Sequence, residues 1–392
     1  MDFGWGAETQ ALYERTRRFA CDELGHSLSE REPNRQFGWS EWRKCAEHGL
    51  MGLPISREYG GQGHDCLTTA RVLEAFGAGC ADGGLGFALG AHLLACCVPI
   101  DRYGTDEQKR AYLPKLCSGE WIGANAITEE QAGSDAFALH TRAVADGEAY
   151  RLTGEKVIVT NAPVAEVLLV YASTRPELGV FGVSAFLVRR DTLGMTIGEP
   201  MDSGGLKTTQ IGSVTFDDCR IPACQRLGAE GAGVGIFQDS MGWERSCLFA
   251  FWVGTMDRQL DEVIRYAQTR HQFGRPIGAN QAVSHRIADM KLRLESARLL
   301  LYRACWERAQ GLPSTLSTSL SKLAISEAFV QSSIEAAHLF GARGVMREAG
   351  MERYVRDALP GTIYSGTSEM HRELIVQALG LSSPRPRREP AS

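Results

Sequence analysis

The sequence predicts a mainly α-helical protein with a central β domain. Its three parts are a helical N-terminal domain over residues 1–120, a β-barrel over 121–230 and a four-helix bundle over 231–381. Three observations predict this order. Apolar residues recur at helical spacing before residue 121, short β-branched runs alternate with Gly, Asn and Asp between 121 and 230, and long stretches after Gly231 repeat their apolar residues every three or four positions.

In the first part, Trp42, Cys45, Ala46 and Leu50 share a helical spacing. "GLGFALGAHLLACCVPI" is apolar all round, which is the pattern of a buried helix, and it is shorter than a membrane span requires. Thr105 is placed to cap a helix that ends at Ser118-Gly119. In the second part, "WIGANAIT", "AYRLTGEKVIVTNA", "EVLLVYAST", "VSAFLVRR", "GMTIGE" and "IGSVTFDDCRIP" read as strands of a compact antiparallel sheet or barrel. No G-x-G-x-x-G opens a helix after a strand, so a dinucleotide-binding βαβ domain is disfavoured. In the third part, Val253, Met256, Leu260, Val263 and Ala267 mark one helix, and Ile287, Met290, Leu294, Ala297 and Leu301 a second. "LSTSLSKLAISEAFVQSSIEAAHLFG" gives a third that Gly341 ends, and a fourth follows "YSGTSEM". Residues 382–392, "SSPRPRREPAS", have the composition of a disordered tail.

Several function classes are disfavoured. A net charge of −5 with no basic run argues against nucleic-acid binding. The eleven cysteines include no C-x-x-C pair, so neither a zinc site nor a disulfide framework is expected, and reduced thiols fit a cytoplasm. The N-terminus carries acids and no apolar core of a signal peptide, and no membrane association is expected.

Candidate chemistry lies in a few short segments. "AITEEQAGSDA", residues 126–136, offers Thr128, Gly133, Ser134 and free amides that could hold a ring edge or phosphate, or form a plain acidic turn. "GEKVIVTNA" is a strand ending in Thr160-Asn161, and "RHQFGRPIGANQ", residues 270–281, sets Arg270 and Arg275 around Phe273. Together with "FDDCRIP", "HLFGARG" and "IYSGTSE", these segments in this order resemble the acyl-CoA dehydrogenase family from about residue 7 to 381.

The resemblance implies FAD. It places residues 126–134, with Val159 and Thr160, along the isoalloxazine, whose edge would bond to Thr128, Ser134 and Thr160. It also puts Ala126 and Gly133 in that stretch, and Ile158 where the family usually carries a tryptophan against the flavin. Arg270 and Gln272 would meet the diphosphate of an FAD in a neighbouring subunit, with Phe273 beside it, and Gln281, His338 and Gly341 would complete that shared site. Thr367 and Ser368 would also touch FAD. Shared sites imply a homo-oligomer, usually a tetramer. The implied substrate is an acyl-CoA or acyl-carrier-protein thioester, and an electron-transferring flavoprotein is the usual acceptor. His338 and Ala342 depart from the family's usual Gln and Gly.

The main departure is Ser365, where many members carry the catalytic glutamate. Removing a proton α to a thioester carbonyl needs a poised carboxylate, and a serine without a partner is too weak a base. Glu244, beside Arg245 in the otherwise apolar "DSMGWERSCLFAFWVG", occupies the helix position that bears the base in isovaleryl-CoA dehydrogenases. The alternative for that pair is a partly solvated ion pair with a cross-helix partner. Trp243, Arg245, Leu248, Phe251, Ser134, Tyr364, Ser365 and Gly366 are the expected substrate-binding set, and the large side chains suit a short acyl group. Competing readings are γ,δ-oxidation of a 2-enoyl thioester, a flavin monooxygenase on the same fold, and a non-enzymatic flavoprotein or scaffold.

Overall fold

The computed structural model describes residues 4–381, so the tail expected to be disordered lies outside the described residues. Helices run from Ala7–Glu23 to Asp106–Cys117 before any strand appears. Thr105 caps the last of these through a reciprocal capping box with Gln108. The apolar stretch proves longer than the sequence suggested. Residues Gly83–Tyr103 form one helical run of 21 residues, apolar and long enough to cross a membrane. Its most apolar window is 100% buried inside the fold, so it is accounted for as the central helix of the core.

The β domain is an eight-stranded sheet. Its strands are β1 (Gly123–Ala126), β2 (Arg142–Asp146), β3 (Ala149–Thr160), β4 (Val167–Ser173), β5 (Val183–Arg189), β6 (Met195–Ile197), β7 (Ile211–Pro222) and β8 (Arg226–Leu227). The order is β6-β7-β3-β2-β4-β5-β8, with β1 added beside β4. The sheet is mixed rather than purely antiparallel, because β1 runs parallel to β4. All seven residues of β4 are buried, which explains its unbroken apolar run. One face of the domain closes on its own core of Ala126, Leu152, Val170, Phe186 and Phe216.

Three helices of the third part, Phe249–Thr269, Gln281–Ala309 and Thr315–Phe340, are long, and Gly341 ends the last at φ +60°. The fourth, Ser368–Ala378, is shorter. The helix Phe249–Thr269 also packs against Cys66–Gly79 of the first part. That crossing is backbone against backbone. A Cβ at Gly77 would lie 1.9 Å from the Phe251 carbonyl oxygen, and one at Gly254 the same 1.9 Å from that of Glu74. Glu74, fully buried at this junction, is neutralised by Arg298 at 2.8 Å and Arg71 at 3.2 Å.

Two π-helical turns interrupt long helices, Leu93–Cys97 and Glu244–Leu248, and the two pack against each other. Each inserts one extra residue per turn, which re-aims the side chains around it, and such turns gather at functional sites. Glu244 opens the second.

Candidate active site

Glu244 is 8% exposed and lies opposite the 365–366 loop. The Ser365 hydroxyl donates a hydrogen bond to Glu244 Oε1. Ser365 is therefore more than the vacated place the sequence suggested, since it is the direct partner of the carboxylate. Its backbone is left-handed at φ +56°, followed by Gly366 at φ +99°. Three basic side chains hold that conformation by its carbonyls. Arg245 Nε donates to Ser365 O at 2.9 Å, the His371 ring nitrogen Nε2 lies 3.2 Å from the same oxygen, and Lys322 Nζ donates to Gly366 O at 2.7 Å.

Burial raises the Glu244 carboxyl above the ordinary carboxylate value, and Ser365, Arg245 and Lys322 oppose that rise. Burial, then the Arg245 charge, lowers Lys322 to about 8. Burial, with Arg245 and Lys322 adding to it, pushes His371 down to about 3, so the imidazole is neutral and carries its proton on the nitrogen facing Ser365 O. The positive charge around the carboxylate thus comes from Arg245 and Lys322.

Aromatic side chains enclose the loop. Tyr364 packs against Phe87 at 4.5 Å and Phe249 at 5.5 Å, and its hydroxyl accepts a hydrogen bond from Trp252 Nε1. Trp243 lies under the Arg308 guanidinium, with its indole N–H buried and unpaired among the described residues. Two of the expected substrate-binding residues lie deep in the core. Leu248 and Phe251 are 1% and 2% exposed, filling the space over Gly90 and Gly86, where an added Cβ would collide with them. Both side chains pack on the helix Gly83–His92.

The β-domain segments form a second group. A β-bulge lies between Lys156 and Val159 in the β3–β7 pairing, and Ile158 sits in it at φ +55°, 63% exposed. A β-branched residue at positive φ is rare, and here it turns an aliphatic face outward at the bulge. Val159 is buried and Thr160 half-buried beside it. The 126–134 loop is tied to this bulge, since Val157 N donates to Thr128 O at 2.9 Å. Ala126 is buried at the end of β1, Thr128 is half-buried, and Gly133 and Ser134 are exposed, with open space around Gly133. Beneath, the wholly buried Lys156 donates to Glu129 Oε1 at 2.7 Å and Ile127 O at 3.0 Å, while Glu129 accepts from the amides of His140 and Thr141. Burial pulls Lys156 down to about 8 against the pull of Glu129.

The third group is separate. His271–Gln272 and Arg275–Pro276 pair as a small hairpin after the helix Phe249–Thr269. Arg270 and Gln272 are exposed, and Phe273 at its tip is 100% exposed at φ +51°. Gln281, His338 and Gly341 are exposed too. Thr367 caps the last helix by accepting from Met370 N, and the neighbouring Ser368 hydroxyl is buried without a partner among the described residues. These features fit FAD: an outward aliphatic face and an exposed, open Gly133–Ser134 loop at one half-site, a cation and a bare phenyl ring at the other, and beside the Ser365 loop a hydroxyl unpaired among the described residues. The structure brings together Glu244, Arg245, Tyr364, Ser365 and Gly366, and leaves the 270–281 segment on an outer face. Sequence reasoning missed Lys322, His371 and the Glu129–Lys156 pair. The signal for Lys322 was its position as a lone charge in "STSLSKLAIS", and the pair sits inside the two quoted β segments.

Comparison with known proteins agrees with this arrangement. The family descriptions "Acyl-CoA dehydrogenase, N-terminal domain", "middle domain" and "C-terminal domain" match residues 6–120, 124–219 and 231–380. An L-prolyl-[peptidyl-carrier protein] dehydrogenase of Pseudomonas fluorescens is 54% identical over 97% of this chain and 100% of its own length. The crystal structure of the prolyl acyl carrier protein oxidase AnaB superimposes with a TM-score of 0.95 at 42% identity, over 96% of this chain and 100% of that one. A structure of PigA with FAD and proline gives 0.95 at 42% identity, over 97% and 100%. The protein is an FAD-dependent oxidoreductase that acts on CH–CH bonds of a thioester substrate. Matched along its three parts and most of its length, the chain belongs to the acyl-CoA dehydrogenase family.

Proposed function

We propose that this chain oxidises an L-prolyl group held as a thioester on a peptidyl carrier protein, with Glu244 as the base. The substrate rests on the 54% identical relative of that activity. The base rests on one observation: the buried Glu244 carboxylate is paired with Ser365 at the loop position where other members carry their glutamate. Bound FAD supplies the hydride acceptor. Glu244 takes the α-proton from the prolyl thioester, and the β-hydrogen leaves as hydride, a two-electron oxidation to a 2,3-unsaturated ring. Burial makes the carboxylate a stronger base than one in water, while Ser365 keeps it ionised and aimed. Arg245, Lys322 and His371 hold the loop from behind. Large side chains near Glu244, Trp243 and Tyr364 with its partner Trp252, suit a small ring rather than a long acyl chain.

The flavin site is completed by a second copy. Thr128, Ser134, Ile158 and Thr160 serve the ring, Thr367 and Ser368 lie beside it, and Arg270, Gln272, Phe273, Gln281, His338 and Gly341 reach the FAD of a neighbour. The exposed hairpin supports this, as do Leu292, Leu299 and Trp306, exposed apolar residues seven apart on the helix Gln281–Ala309. The assembly is a homotetramer, with an electron-transferring flavoprotein or similar acceptor. Cytoplasmic residence accords with eleven free cysteines. Anaerobic flavin bleaching tests the substrate. L-prolyl-carrier protein should reduce the flavin faster than butyryl-CoA; the reverse order would overturn the prolyl assignment and leave the family chemistry intact.

A further inference from the structure

Cys66, Cys247 and Cys305 stand far apart in the sequence, yet their sulfur atoms all lie within 4.8 Å of one another. Each comes from a different element: the first residue of the helix Cys66–Gly79, the π turn Glu244–Leu248, and the helix Gln281–Ala309. The Cys66 and Cys247 sulfurs are 3.5 Å apart. Three thiolates about 2.3 Å from one cation would stand about 3.8–4.0 Å from each other, so small side-chain rotations suffice. All three thiols are buried, but Cys66 directly follows the exposed Asp65, one residue below the surface.

A cation also lies nearby. Arg308, one turn beyond Cys305, acts on both Cys66 and Cys247; its Nη2 is ion-paired with Asp239, while its buried Nε–H has no partner among the described residues. A divalent cation with three thiolates carries one net negative charge, whose cost the nearby guanidinium would lessen, although Asp239 shares it. Soft sulfur ligands select thiophilic d10 cations over calcium or magnesium.

We propose that Cys66, Cys247 and Cys305 form a three-thiolate site for one thiophilic divalent cation of the zinc and cadmium class. Binding forms three metal–sulfur bonds and releases the thiol protons to solvent, with no change of oxidation state. Because Cys247 is three residues after Glu244, an ion there would fix the π turn that carries the carboxylate.

The test uses the FAD-loaded protein with its two exposed cysteines removed by Cys21→Ser and Cys224→Ser. Equilibrium dialysis against cadmium chloride should give one ion per chain, with sulfur-to-cadmium charge-transfer absorption in the ultraviolet. Cys66→Ser and Cys305→Ala, each checked for an unchanged flavin spectrum, should each lose that ion and absorption. Should one variant fail to fold, the other carries the comparison. No uptake by the parent protein, or full uptake retained by a folded variant, would overturn the proposal.

Discussion

Ser365→Ala separates the two tasks a hydroxyl could have beside a buried base. In the structure this hydroxyl donates to Glu244 Oε1, so it stabilises the ionised carboxylate and is not itself the base. A hydrogen bond to a charged group contributes about 1.5–3 kcal/mol. Losing it makes ionisation of Glu244 harder by that amount, since burial continues to raise the carboxyl and only Arg245 and Lys322 remain to oppose it. At about 1.36 kcal/mol per decade, flavin reduction on the acid side of the rate profile should slow by about 10- to 150-fold. The alkaline plateau should return close to the wild-type rate, because the base is intact once ionised. The assay is single-turnover flavin reduction by substrate across pH, which isolates chemistry from reoxidation and product release. An acid limb that does not move would show the Ser365–Glu244 bond to be without consequence. A variant slow at every pH would show that the serine itself takes part in proton transfer.

Glu244→Gln keeps the size and polarity of the side chain but removes the base, so single-turnover reduction should fall by about 10²–10⁴ while substrate binding largely survives; an unchanged rate would remove Glu244 from the mechanism. Arg270→Ala removes the exposed cation proposed to meet a neighbour's FAD diphosphate and should weaken FAD retention by about 10- to 150-fold, read as flavin content after gel filtration at falling protein concentration. Asp357, buried and bonded to Leu206 N at 2.7 Å, is pushed by burial up to about 7 from its ordinary 3.8. The folded state therefore holds this proton across a window in which the unfolded chain has lost it, and stability from this residue falls as pH rises from about 4 to about 7. Asp357→Asn should flatten that slope in thermal melts, and an undiminished slope would remove Asp357 as its source.

Much of this was readable before any coordinates. Helix ends came from Thr105 and Gly341, and the strands from β-branched runs, because local chemistry decides both. β2 was not readable. Its sequence, RAVAD, has one β-branched residue, Val144, which is exposed, and its place is set by pairing with β3 rather than by its own preference. The membrane-length core helix was read short at both ends, and Gly83 and Gly84 open it. They are tolerated there because Asp82 caps the helix and a larger residue at Gly84 would strike Thr208. In the site, Glu244 and Ser365 stood out as a misplaced charge and a missing one. Lys322 and His371 did not, since what they bind is a pair of carbonyl oxygens, and carbonyls leave no mark in a sequence.

The glycine crossing between Cys66–Gly79 and Phe249–Thr269 bears on how such an enzyme changes its diet. At Gly77 and Gly254 there is no side chain whose length could be adjusted, so at these two points the helix following Glu244 meets its neighbour main chain to main chain. Residues around the substrate can then be exchanged like interchangeable fittings while the proposed base keeps its aim. A lineage holding this contact could move from one small thioester to another by changing those residues, without rebuilding the catalytic step.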